Sequence, residues 1–148
     1  ADIRDLTVWV FKREVADQII AHTTYEDWSD GLLAMFVWMQ NHPEETRSVL
    51  SSIGMEDLQI FLHKQLRAVM EPIVDQHSAE LPVTEDDRVF VTDHFTLAIL
   101  GHISQWLAIG MSTDPYILTE RIAHVLDGQV RRSLEALAAN PIPAAQRA

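Results

Sequence analysis

The sequence predicts an all-α bundle of six helices, and three observations predict it. Apolar residues recur at three- and four-residue intervals from Ile3 almost to the C-terminus, the spacing that gathers side chains on one face of a helix. Helix starts and stops punctuate that pattern, with Pro43, Thr84 and Asp114-Pro115 where helices should begin, and Gly54 and Gly110 where they should end. No segment alternates apolar and polar residues between hairpin turns, as a half-buried strand would.

The first helix is expected from Ile3 to about His22, on a stripe of Ile3, Leu6, Val10, Val15 and Ile19 that Trp9 and Phe11 widen. The polar run HTTYED interrupts it. Asp27 is then an N-cap for a second helix, with Asp30 adding negative charge near the positive helix end. Leu32, Leu33, Phe36, Val37 and Met39 carry this helix to Asn41. Pro43, Glu44 and Glu45 suit the first turn of a short third helix, and Gly54 suits its end. A fourth helix follows from Met55 to about His77 on Leu58, Phe61, Leu62, Leu66, Val69, Met70, Ile73 and Val74. Pro72 lies inside it, so a kink or an early end is expected there.

After the linker SAELPV, Thr84 and Asp87 resemble a capping box, with Asp in place of the usual Glu. They open a fifth helix that runs to about Ile109, roughly 39 Å at 1.5 Å per residue. Asp114 caps the sixth helix and Pro115 takes its first position. Its stripe is Leu118, Ile122, Val125, Leu126, Val130, Leu134 and Leu137. Residues 1–140 thus read as one domain and 141–148 as a frayed tail.

A chain of 148 residues with 47% hydrophobic content and four Trp can bury a real core in a single domain. Its formal net charge of −11 argues against nucleic acid or an anionic membrane as a direct partner, because a polyanion would be repelled across the surface. Cys is absent, which rules out disulfides and thiolate metal sites and fits a reducing cytoplasm. No apolar run approaches the roughly 18 residues of a membrane span, and ADIRDL does not resemble a signal peptide. The chain begins with Ala rather than Met, which suggests a processed, tagged or truncated product.

The fifth helix carries three apolar faces. Val91, Phe95, Ala98, His102 and Ile109 form one, Leu97, Gly101, Ser104 and Ala108 a second, and Ile99, Ile103 and Trp106 a third. Six helices of one chain would struggle to cover all of them, and the Gly, Ser and Ala face admits the close approach of another helix. A second subunit is the simplest cover.

The stretch HFTLAILGHISQWLAIGMSTDPYILTERIA resembles the end of the regulatory domain in TetR-family transcription regulators, in particular the branch of dihydroxyacetone-kinase operon regulators. The matching positions are Phe95, Gly101, Trp106, Gly110, Ser112 and Pro115. IRDLTVWVFKRE resembles the helix that follows the family's DNA-binding head, through Asp5, Leu6, Trp9 and Phe11. The basic helix-turn-helix that should precede Ile3 is missing from this chain, so DNA contact is expected only through an N-terminal domain that the chain lacks.

The resemblance implies an effector-binding and dimerisation domain. A small hydrophobic effector would enter among the first, second, fourth and fifth helices and shift the first, which leads to the DNA head. Trp9, Trp38, Phe61, Gln65, Phe95, His102 and Trp106 are the candidate effector contacts, although core packing also accounts for the aromatic ones. The last two helices would form an antiparallel pair and meet their mates across a two-fold axis in a homodimer. Leu97, Gly101, Ser104, Ala108, Ile122, Val125 and Gln129 are the candidate interface residues. A free-standing helical co-regulator that pairs without binding DNA is the alternative.

His94 and His102 are about 12 Å apart along the helix axis, too far to chelate one ion, so hydrogen-bonded core or interface roles are expected. The acidic run Glu85-Asp86-Asp87 suits a solvated helix start. Arg131 and Arg132 are expected to face solvent or to pair across the dimer. HExxH, a Gly-rich phosphate loop, Gly-x-Ser-x-Gly, a Cys nucleophile and paired Glu-x-x-His motifs are all missing, so neither an enzyme nor a bound cofactor or metal is expected.

Overall fold

The computed structural model describes residues 3–21 and 26–143. It is helical: α1 (Ile3–Ile20), α2 (Trp28–Asn41), α3 (Pro43–Ser78), α4 (Glu85–Ala108), α5 (Pro115–Leu126) and α6 (Gln129–Ala139). No strand occurs among the described residues. The all-α expectation holds, while the expected end of the first helix at His22 and the tail from 144 onward lie outside the described residues.

The third and fourth expected helices meet at Gly54 with no loop between them. Gly54 has φ +82° and ψ 164°, a conformation open in practice only to Gly, and the helical ladder resumes directly after it. Pro72 does not end the helix, which continues to Ser78 with Gly54 as its one non-helical residue. Pro72 and Ala68 are both exposed, so water can reach the Ala68 carbonyl that Pro72 leaves without its donor.

The Thr84 cap forms as expected, its hydroxyl accepting from the Asp87 N–H at 3.1 Å. From there α4 buries Val91, Phe95, Ile99, Leu100, Ile103, Trp106 and Leu107. It ends in a Schellman motif, in which the Met111 N–H donates to the Trp106 carbonyl (2.8 Å) and the Gly110 N–H to that of Leu107 (3.1 Å). Gly110 (φ +80°) and Met111 (φ +59°) both take positive φ to achieve this. The buried Trp106 indole donates to the Thr113 carbonyl at 2.9 Å. Asp114 Oδ1 then accepts from the N–H groups of Tyr116 (2.9 Å) and Ile117 (3.2 Å) and starts α5.

The expected sixth helix is two. Gly128, in the left-handed region at φ +72°, separates α5 from α6. The break lets α5 lie against α2 while α6 lies against α3 and α4, which one straight helix would not achieve. The expected last helix thus meets α4 through its second half, α6, while a cleft separates α4 from α5. Arg131, partly exposed, also donates from its guanidinium to the His77 carbonyl at 2.8 Å and ties α6 to the end of α3. Arg132 is exposed, as expected.

The core sits where these helices converge, with Phe11 and Val15 from α1, Met35, Phe36 and Met39 from α2, Leu58 and Leu62 from α3, Ile103 and Trp106 from α4, and Leu134 from α6. Phe36 meets the Trp106 ring edge-on at 4.8 Å. On the surface Arg67 donates to both Asp93 (2.8 Å) and Glu71 (2.9 Å), and its hydrogen bond to Asp93 holds its pKa above the ordinary Arg value.

Candidate functional site

Three places bear on function: the interior between α1 and α4, a groove under α1, and the outer face of α4 and α5. The interior is closed. Where Ile19, Trp28, Leu32, Leu66, Val69, Met70 and Ile99 meet, the space left is about 20 Å³, room for one small molecule of solvent at most.

The groove is open, about 360 Å³, and lies between the first three turns of α1, the C-terminal end of α2 and the first turn of α3. Its apolar side comes from Ile3, Leu6, Val10, Phe11 and Trp38, and its polar groups from Thr7, Glu14, His42 and Glu45. Packing fixes the aromatic wall, because Trp38 meets Phe11 edge-on at 5.6 Å and stacks on His42 at 4.3 Å. His42, in turn, is held through its Nδ1 to the Trp38 carbonyl at 2.7 Å.

The outer face of α4 and α5 is apolar and exposed. Phe90 and Leu97 (56% exposed) on α4, and Ile109 just after it, stand with Ile117 and Val125 (69%) on α5. Gly101 and Ala108 are exposed between them, and nothing lies within 4 Å of where a Gly101 side chain would begin. A cleft of about 210 Å³ runs along this face, lined by Ala98, His102, Leu118, Arg121, Ile122, Val125 and Leu126.

The structure does not gather the seven candidate effector contacts around one cavity. Trp38 alone among them borders the α1 groove. Trp9 is 57% exposed with the Arg13 guanidinium 5.3 Å from its ring, and the half-buried Phe61 has Lys12 at 5.4 Å. Gln65 is half-buried on α3, whereas Phe95 and Trp106 are buried core residues. His102 lines the α4–α5 cleft.

The candidate interface residues fall more closely together. Leu97, Gly101, Ala108 and Val125 are exposed, and Ile122 is buried at the floor of the cleft. Ser104 is half-buried and accepts from the Gln59 amide at 3.0 Å, and Gln129 is half-buried at the start of α6. His94 stacks beside Phe90 at 6.2 Å. No cluster of three metal-ligating side chains occurs among the described residues.

Sequence reasoning missed the groove. Leu6 and Val10 carry the right periodicity for core positions, and only the packing of α1 reveals that they stand half in the open. Thr7, Glu14, His42 and Glu45 belong to three separate segments, so no local pattern joins them.

Comparison with known proteins agrees with this architecture. A family model described as transcriptional regulator C-terminal region, TetR_C_8, matches residues 26–128, more than half of the chain. No curated protein and no solved structure matches it. No helix among the described residues is long and apolar enough to cross a membrane. With the family's region spanning α2 to the break after α5, the chain belongs to the C-terminal regulatory domains of TetR-type transcriptional regulators.

Proposed function

We infer that the chain binds an effector and dimerises, and that it thereby controls DNA binding by a helix-turn-helix segment outside the residues described. The observation that carries this reading is the outer face of α4 and α5. Phe90, Leu97, Gly101, Ala108, Ile117 and Val125 make an apolar surface of the kind that marks an interaction site, with Gly and Ala where a partner helix must come close. A two-fold axis through this face sets α4 and α5 of one subunit against those of another, an isologous contact on the order of 2,000 Å² in total.

The effector acts on α1, the helix that precedes the family-matched region. A ligand that binds better to one placement of α1 than to another shifts the balance between the two, and with it the spacing of two DNA-binding heads in a dimer. Among the candidate contacts, Trp38 supports this reading most directly, because it borders open space between α1 and α2. The experiment is sedimentation equilibrium at micromolar concentration. A dimer is the expected result, and a monomer removes dimerisation from the proposal.

A further inference from the structure

The geometry points to the groove under α1 as a site for a lipophilic ammonium cation, one positively charged nitrogen carried on an apolar chain or ring. At about 360 Å³ the groove falls within the usual range of small-ligand pockets, about 300–1,000 Å³. The closed interior offers no comparable volume.

The polar groups of the groove accept hydrogen bonds or carry negative charge. The Thr7 hydroxyl spends its single proton on the Ile3 carbonyl at 2.9 Å, so it presents lone pairs to anything else. A carbonyl only accepts, so the 2.7 Å contact between His42 Nδ1 and the Trp38 carbonyl assigns the proton to Nδ1 and leaves Nε2 of the neutral ring as an acceptor. Glu14 on α1 and Glu45 on α3 add two carboxylates, and neither has an ion-pair partner among the described residues.

No Lys or Arg lines the groove. On α1, Lys12 is directed to the Phe61 ring and Arg13 to that of Trp9, while Arg4 is exposed and does not line the groove. A helix N-terminus draws anions, but Glu44 and Glu45 already occupy the first turn of α3. An anionic ligand is thus repelled, whereas an ammonium gains from both carboxylates and from the half-buried Trp38 ring. Its apolar portion covers Ile3, Leu6 and Val10, which the chain otherwise leaves to solvent.

A regulatory consequence rests on the effector reading above, since occupying the groove changes how α1 sits against α2 and α3; the binding itself does not. The test titrates the 148-residue chain by calorimetry at low salt with hexyltrimethylammonium and, separately, with hexyl sulfate of the same chain length. Saturable binding of the cation alone is expected, weakening as salt is added. In the isosteric E14Q/E45Q variant it falls roughly tenfold, the combined effect of two partly exposed charge contacts. E56Q/D57N, which removes the same charge away from the groove, leaves it nearly unchanged.

Backbone amide shifts in the unaltered protein, concentrated at Thr7, Trp38 and Glu45, locate the site without any substitution. Equal binding of both probes, equal loss in both variants, no loss in E14Q/E45Q, or shifts centred elsewhere would each overturn the assignment. So would the absence of saturable cation binding. A monomer that still binds the cation counts against dimerisation only, and a dimer that does not bind it counts against this site only.

Discussion

Helices α1 and α4 are both rich in apolar residues, yet they leave apolar surface uncovered in different shapes. On α4 the exposed residues stand on a broad outer face continuous with α5, and the rest of the helix is sealed into the core down to Trp106, 1% exposed. On α1 the core receives Phe11, Val15 and Ile19, while Ile3 (83% exposed), Leu6 and Val10 border a concave groove edged with carboxylates. A broad apolar face suits another helix, and a concavity with a few polar groups suits a small ligand. Shape and rim chemistry, rather than apolarity alone, separate the two.

Breaking the sealed end of α4 has the largest expected effect. Trp106→Ala removes a buried indole that packs on Phe36 and bonds Thr113, and should cost about 3–5 kcal/mol in denaturant unfolding. Trp9→Ala, on the exposed side of α1, should change stability by less than about 0.5 kcal/mol. Equal losses would erase the contrast between the two helices.

The exposed face of α4 is tested by Leu97→Glu, which should weaken the proposed dimer by roughly 2 kcal/mol or more, read as monomer in sedimentation. Gly101→Leu sharpens the same point, because within one chain nothing obstructs the new side chain. At an interface it blocks close approach and lowers the dimer fraction. At a solvent-facing site it instead raises stability by about 0.8 kcal/mol through helix propensity, with the mass unchanged.

Smaller effects are expected where local backbone chemistry matters. Gly54→Ala forces a side chain into φ +82°, ψ 164° and should lower the unfolding free energy by about 1–3 kcal/mol. Asp114→Ala removes the cap of α5 at a cost of about 1 kcal/mol, measured as a lower melting temperature.

A small change is expected from Asp93→Asn, under about 1 kcal/mol, since Arg67 and Asp93 are each at least a third exposed. The pair raises the folded-state pKa of Arg67, so this contribution is complete below the ordinary Arg range and lost only above it. The deficit should therefore stay level in unfolding experiments between about pH 6 and 9.

Local chemistry explains which features were legible in the sequence. Thr84, Asp114-Pro115, Gly54 and Gly110 mark boundaries through bonds and φ angles confined to a few neighbouring residues, and the structure shows each in its expected place. Asp127-Gly128 carried a similar turn signal, but the apolar stripe running from Leu118 to Leu137 masked it. The stripe continues because α5 and α6 both bury apolar faces, against different neighbours.

The candidate site was less legible because it depends on distances between segments. Trp38 was identified from its residue type, while Thr7, Glu14, His42 and Glu45 share a groove only because α1 crosses the junction of α2 and α3. Likewise Ser104 and Gln59, far apart in sequence, become partners across α3 and α4.

The sequence by itself determined the all-α class, the caps and glycine breaks, and the excess of apolar surface on α4, because periodicity and terminal hydrogen bonds are encoded within a turn or two. Tertiary structure decided that the interior between α1 and α4 closes to about 20 Å³, that the last expected helix splits between α2 and the α3–α4 pair, and that a carboxylate-edged groove opens under α1. The physical reason is that an apolar residue specifies only that it be covered, whereas what covers it, and what is left open, follows from how whole helices pack.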